Sequence, residues 1–207
     1  MTRPFLIGLT GGIATGKSTV AGILMEQGIP VLDADRLARD AVAPGSEMLA
    51  QLHSRYGDGI LWPNGSLHRQ GLASLIFRDP AERAWVESLI HPYVRDQMEQ
   101  GIQEWQKQGI PIGCLMIPLL FEAGLENGVD VIWVVSCDLQ QQRERLQNRD
   151  HLSDPEIEAR LSAQWPLERK CQLASTVLNN NRDPQHLRVL VWAALEELPT
   201  CSRQDHC

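Results

Sequence analysis

Gly11-Gly-Ile-Ala-Thr-Gly16-Lys17-Ser18 is the stretch on which the reading of this chain turns. It matches G-x-x-x-x-G-K-[ST], and its surroundings are the ones that pattern needs. The apolar run Phe5-Leu-Ile-Gly-Leu9 before it reads as a strand, and residues 16–27 have helical spacing. Glycines let a backbone wrap closely enough to aim successive N–H groups at one anion. The helix that follows adds partial positive charge at its N-terminus. In such a loop Lys17 reaches the β- and γ-phosphates of a nucleotide, and the Ser18 hydroxyl holds Mg²⁺.

Working outward, short apolar runs alternate with longer helical patterns. Residues 5–9, 30–32, 112–117, 129–135 and 176–178 read as strands. Those at 112–117 and 129–135 are apolar almost throughout, as strands buried on both faces are. Helical spacing covers 16–27, 35–43, 47–56, 81–89, 93–107, 139–148, 155–164 and 184–198. His91-Pro92 separates the fourth and fifth of these, because the residue before proline is pushed out of the α region. Ser153-Asp-Pro-Glu156 reads as a capping box with proline in the first turn. The alternation predicts an α/β chain with a parallel sheet and right-handed crossovers. The seventy-odd residues between Asp35 and Ile110 lack a convincing strand and read as an inserted helical subdomain. A smaller polar insertion follows Arg149.

Composition sets the bounds. The 207 residues suit one domain with insertions, and 43% hydrophobic with 22% charged residues is an ordinary globular balance. No apolar run reaches the ~18 residues of a membrane span. A net charge of −7 argues against a broad nucleic-acid surface, yet leaves room for a focused anion site. Five cysteines without a C-x-x-C pattern point to neither a disulfide framework nor zinc, so a reducing cytoplasm is expected. Six tryptophans read as packing residues. Residues 201–207, with Cys201 and Cys207, read as a flexible tail.

Val31-Leu-Asp33-Ala-Asp35 places two carboxylates at the end of the second strand, on one side if the extended repeat continues. Carboxyl ends of strands form the binding crevice of open α/β sheets. A carboxylate there can take a substrate hydroxyl's proton; alternatively Asp35 caps the next helix. The chain has neither N-K-x-D nor D-x-x-G, as a GTPase would, and no L-S-G-G-Q. A small-metabolite kinase that closes around its substrates fits better.

The P-loop Leu9-Thr-Gly-Gly-Ile13 with Gly16-Lys-Ser-Thr-Val20, then Asp33-Ala-Asp35, Pro44-Gly45, Leu67-His-Arg69, His91-Pro92 and Pro118-Leu-Leu-Phe-Glu122, in that order, resembles the dephospho-CoA kinase family. The likeness runs on through Arg145, Arg149-Asp150, Gln164 and Asn179, from residue 5 to about 185. It implies a three-layer P-loop fold with five parallel strands in the order 2-3-1-4-5. Within a kinase domain at 5–200 it implies a helical CoA-binding insertion at about 45–108 and a lid at about 149–165. The implied reaction is phosphorylation by ATP, with Mg²⁺, of the ribose 3′-hydroxyl of dephospho-CoA. Nucleic acid and membrane are not expected partners, and the chain acts as a monomer or a trimer.

By the same resemblance, Gly12, Ile13, Ala14, Thr15, Gly16, Lys17, Ser18 and Thr19 cradle the ATP phosphates, with Arg145 and Asn179 also on the nucleotide. Ser18 is the metal ligand. Asp35 is the catalytic carboxylate, Lys17 and Arg149 act with it, and Arg149 closes from the lid. Thr10, Asp33, Asp35, Arg69, His91, Pro118, Leu119 and Glu122 fall on the substrate side. Each has a plainer alternative. Arg69 can be a solvated surface arginine, His91 a helix cap, Asn179 a turn residue and Glu122 half of a surface ion pair. The chain departs from the family in two places. Ala14-Thr15 stands where Gly-Ser is usual, and alanine suits that position only at negative φ. Ile117 stands where many relatives have Asp, so no conventional Walker B carboxylate is evident. Two rivals remain: a P-loop kinase of another nucleotide or metabolite, and a non-catalytic nucleotide switch.

Overall fold

The computed structural model describes residues 2–76 and 79–199. The 201–207 tail, with its two cysteines, lies outside them. Five parallel strands, β1 (Phe5–Gly11), β2 (Val31–Asp33), β3 (Ile112–Met116), β4 (Val131–Ser136) and β5 (Thr176–Asn179), form one sheet in the order β2-β3-β1-β4-β5. That is the expected order. β1 lies centrally, with Ile7 opposite Cys114 on one side and Val131 on the other. Strands buried on both faces need no polar alternation, which is why these segments read as continuous apolar runs.

Nine α-helices are described: α1 (Lys17–Glu26), α2 (Ala34–Ala41), α3 (Glu47–Tyr56), α4 (Arg69–Ile76), α5 (Pro80–Lys107), α6 (Leu139–Asp150), α7 (Asp154–Ser162), α8 (Leu167–Leu173) and α9 (Pro184–Glu196). Period-2 alternation sends Ile7 and Leu9 of β1 into a core with Val20, Ile23 and Leu24 of α1 and Leu187 and Val191 of α9. Leu6 faces the opposite way and is equally buried. Gly8 shares that second face, where a Cβ would lie 2.8 Å from Val129 and 2.9 Å from Leu120. The Trp105 ring sits where a Cβ on Gly113 would go, 2.4 Å away, so the C-terminal end of α5 packs directly on β3.

The chain divides into two compact units, one of which is Asp33–Gly101. That unit is helical and has its own core, built from Ala41, Val42, Leu52, Ile60, Leu72 and Val86. Ser46 caps α3, accepting from the Leu49 N–H at 3.1 Å. Arg55 of α3 pairs with Glu82 of α5 at 2.7 Å, and the Tyr56 hydroxyl donates to the same carboxylate.

Three expectations need correction. The proline at His91-Pro92 does not break the chain into two helices, because α5 runs through it as one helix of 28 residues. Proline removes a single i→i−4 bond there, and the turns on either side keep the rest. Helices α4 and α8 lie in stretches to which the sequence reading assigned no element. Finally, Asp33-Ala-Asp35 does not stay extended. β2 ends at Asp33 and α2 begins at Ala34, so the two carboxylates do not alternate along a strand.

Candidate active site

The loop Gly11–Ser18 leaves the end of β1 and feeds the first turn of α1, as the pattern requires. Gly16, the residue before α1, has φ +105°. Ala14 has φ +58°, in the left-handed region that the sequence reading required it to avoid. An L-residue there carries a cost of about 1–2 kcal/mol. The loop is bound down on all sides. Thr15, fully buried, donates its hydroxyl to the Gly12 carbonyl at 2.9 Å. Lys17 Nζ donates to the carbonyls of Gly12 at 2.7 Å and Gly11 at 3.2 Å. Ser18 and Thr19 are exposed on the first turn of α1.

Behind the loop stand three side chains that donate to consecutive carbonyls. Gln142 Nε2 bonds Ile13 O at 2.8 Å. Arg145 Nη1 reaches Ala14 O at 3.2 Å and Thr15 O at 3.3 Å. Asn180 Nδ2 bonds Thr15 O at 2.8 Å. Gln142 and Arg145 share one face of α6, three residues apart. Sequence reasoning named Arg145 alone. Asn179, which the resemblance put on the nucleotide, is exposed and accepts the Asn181 N–H at 3.0 Å, while its buried neighbour Asn180, not singled out from the sequence, meets the loop. Gln142 offered no signal beyond its spacing to Arg145.

Just past α7, Gln164 Oε1 accepts the Ile13 N–H at 3.0 Å. The capping box at Ser153 is present: Glu156 accepts from the Ser153 N–H at 2.9 Å and starts α7. Arg149 is not brought to the loop. Its guanidinium forks onto Asp150, with both bonds at 2.9 Å, and that pairing raises its pKa.

Thr10 at the end of β1 and the residues after β3 are bonded into the fold. Thr10 is fully buried and donates to Pro118 O at 3.1 Å, so its hydroxyl is spent inside the fold. Leu119 is exposed. Glu122 does not form a surface pair; it meets the fully buried Lys170 of α8 at 2.7 Å. Lys170 also donates to Pro118 O at 3.2 Å, and the Trp165 N–H donates to Glu122 at 2.9 Å. Burial alone would raise the Glu122 pKa, but the bonds from Lys170 and the Trp165 N–H hold it below the usual carboxylate range. Lys170 escaped notice because Leu167-Glu-Arg-Lys170 reads as a solvated stretch.

Within the helical unit, Asp33 caps α2, its Oδ1 accepting from Asp35 N–H at 2.9 Å and Arg36 N–H at 3.4 Å. The cap expected of Asp35 thus belongs to Asp33, and Asp35 stands in the first turn of α2. Arg69 opens α4 and is exposed; partial burial and the neighbouring charge of Arg39 lower its pKa. Arg39 was not singled out from the sequence. His91 lies in the interior of α5, exposed, where it cannot cap a helix.

A phosphate loop leaving the central strand of a parallel 2-3-1-4-5 sheet, with a helical unit inserted in the chain after β2, defines a P-loop kinase fold. The family model for dephospho-CoA kinase matches residues 5–185. A dephospho-CoA kinase of Gloeobacter violaceus is 53% identical over 192 residues, 93% of this chain and 92% of that one. A Thermus thermophilus protein of known crystal structure superposes with a TM-score of 0.82 at 36% identity, covering 96% of this chain and 100% of the other. The dephospho-CoA kinase of Campylobacter jejuni superposes with a TM-score of 0.69 at 25% identity, covering 93% and 96%. The chain belongs to the dephospho-CoA kinase family.

Proposed function

We propose that this protein transfers the γ-phosphoryl group of ATP to the ribose 3′-hydroxyl of dephospho-CoA, completing coenzyme A. The observation that carries the reading is the phosphate loop between β1 and α1, whose rear carbonyls are tied by side chains of α6 and the end of β5 and against which Lys17 lies. Lys17 supplies the point charge on the transferring phosphate. Asp35, its neighbour Asp33 being committed to a helix cap, takes the hydroxyl proton as the 3′-oxygen attacks the γ-phosphorus. The bond from that phosphorus to the β–γ bridging oxygen then breaks, and ADP leaves. Arg149 moves from Asp150 onto the transferring phosphate when the lid closes, offsetting charge and excluding water. Arg69, with Arg39, takes the phosphate groups of the acceptor, as bidentate donors do.

Magnesium suits the residues present. Among the described residues no three His, Cys, Asp or Glu side chains are grouped to hold a metal. The exposed Ser18 hydroxyl suits an ion that arrives on the triphosphate and keeps its waters. Such an ion would neutralise the β- and γ-oxygens. Cys114 and Cys137 are buried free thiols, which fits a reducing cytoplasm.

ATP consumption measured with and without dephospho-CoA, with the product's phosphorylated position assigned, tests the reading. Acceptor-dependent turnover giving the 3′-phosphate is expected. Turnover on a nucleoside monophosphate instead, or hydrolysis indifferent to the acceptor, would refute it.

A further inference from the structure

We propose that Gln142, Arg145 and Asn180 are positioning residues that clamp the phosphate loop from behind and hold Ala14 in its left-handed conformation. The proposal rests on the loop being the ATP cradle. A peptide's N–H and C=O point opposite ways, so amides that face an anion send their carbonyls to the rear. Buried there without partners, those carbonyls would be costly. Here Ile13, Ala14 and Thr15 carbonyls each accept from the clamp.

The fit is close enough to explain two of the loop's glycines from the rear as well as the front. A Cβ on Gly12 would lie 2.6 Å from Gln142 Nε2, and one on Gly16 would lie 2.2 Å from Asn180 Nδ2. The clamp is itself braced. Arg145 Nη2 bonds Gln141 at 2.9 Å and Asn180 O at 3.0 Å. The Asn180 N–H continues the ladder to Ser136 O at 2.7 Å, and Asn181 exchanges 2.7 Å bonds with Asp138 at the start of α6. Gln142 is buried, and its amide bonds the carbonyl of the residue before the strained alanine.

The test exploits that strain. Without its clamp, a loop with alanine at 14 can relax to negative φ, whereas a loop with glycine there has little to relieve. Gln142→Met keeps the volume and removes the donor. ATP affinity by titration calorimetry and thermal midpoint are measured for the native chain, Q142M, A14G and the double variant, and in parallel for N180A. In the native background Q142M should weaken ATP binding about 5–10-fold, the worth of one buried hydrogen bond. With A14G the same change should cost less than about 3-fold. Equal losses in both backgrounds, or a lowered midpoint with unchanged affinity, would mean a packing role only and overturn the proposal. Failure of the native chain to bind ATP would instead take down the reading of the loop, and the clamp's role with it.

Discussion

The two compact units handle their polar groups in opposite ways. In the sheet unit the side chains around the phosphate loop are buried and paired within the fold: Gln142 and Asn180 on carbonyls, Lys170 on Glu122. In the helical unit the core is apolar, and the polar chemistry stays at the surface, in Arg55–Glu82–Tyr56 and in Arg69 beside Arg39. The difference separates two tasks. A loop that must present amides at fixed angles is preorganised by bonds made before ligand arrives. On the proposed function, the helical unit receives a large acceptor, and the exposed Arg69 suits that task.

The sharpest way to test that division is to strike one charged residue in each unit. Asp35→Asn should leave ATP affinity unchanged while kcat falls by a factor on the order of 10²–10⁴, the usual share of a positioned base. Lys17→Ala should remove most of the ATP binding measured by calorimetry. Full turnover in D35N would move the proton-accepting role away from Asp35.

The buried pair of the sheet unit gives the next largest effect. Lys170→Met leaves the Glu122 carboxylate buried without its counter-charge, and a loss of about 3–5 kcal/mol in urea-unfolding free energy is expected. Lys170→Met with Glu122→Leu should recover most of it, because no charge is then left uncompensated. If the double variant were as unstable as the single one, the pair would matter through packing alone.

How much of this was legible from the residues follows the same division. The phosphate loop and the capping box at Ser153 were readable, because each rests on local chemistry at fixed spacing; the strand order came from the family resemblance, since pairing between distant strands leaves no local mark. The clamp was not, since Gln142, Arg145 and Asn180 converge on the loop from α6 and the end of β5, and only folding brings them there. Glu122 and Lys170 are 48 residues apart, and neither lies in a pattern that marks burial. Within the helical unit, the roles of Asp33 and Asp35 turned on where a strand becomes a helix, a boundary set to the residue by one cap. Proline at 92 was weighed as a breaker on local grounds, and twenty-eight residues of continuous helix outweighed it.

The surface network of the helical unit should reveal itself through pH. Bonds from Arg55 and then Tyr56 depress Glu82 to about 2 from 4.5. A depressed carboxyl contributes stability above its unfolded pKa and loses it as pH falls through the folded one. Burial, then Glu82, pushes Tyr56 up to about 12 from 10.0, so its contribution is present below 10 and fades as pH rises towards 12. Unfolding followed by a probe in this unit should show a stability plateau between about pH 5 and 10 with falls on both sides. Glu82→Gln should flatten the acid side, and Tyr56→Phe the alkaline one.

The smallest expected effect bears on the loop itself. Ala14 at φ +58° is strained, whereas glycine takes that conformation without a Cβ penalty. Glycine also has more freedom to lose from the unfolded chain, which offsets part of the relief. Ala14→Gly should therefore raise unfolding free energy by no more than about 1 kcal/mol. A clear loss of stability would mean that Ala14 makes a contact worth more than its strain. A gain above that range would mean that the clamp holds the loop further from its relaxed shape than the backbone angle alone conveys.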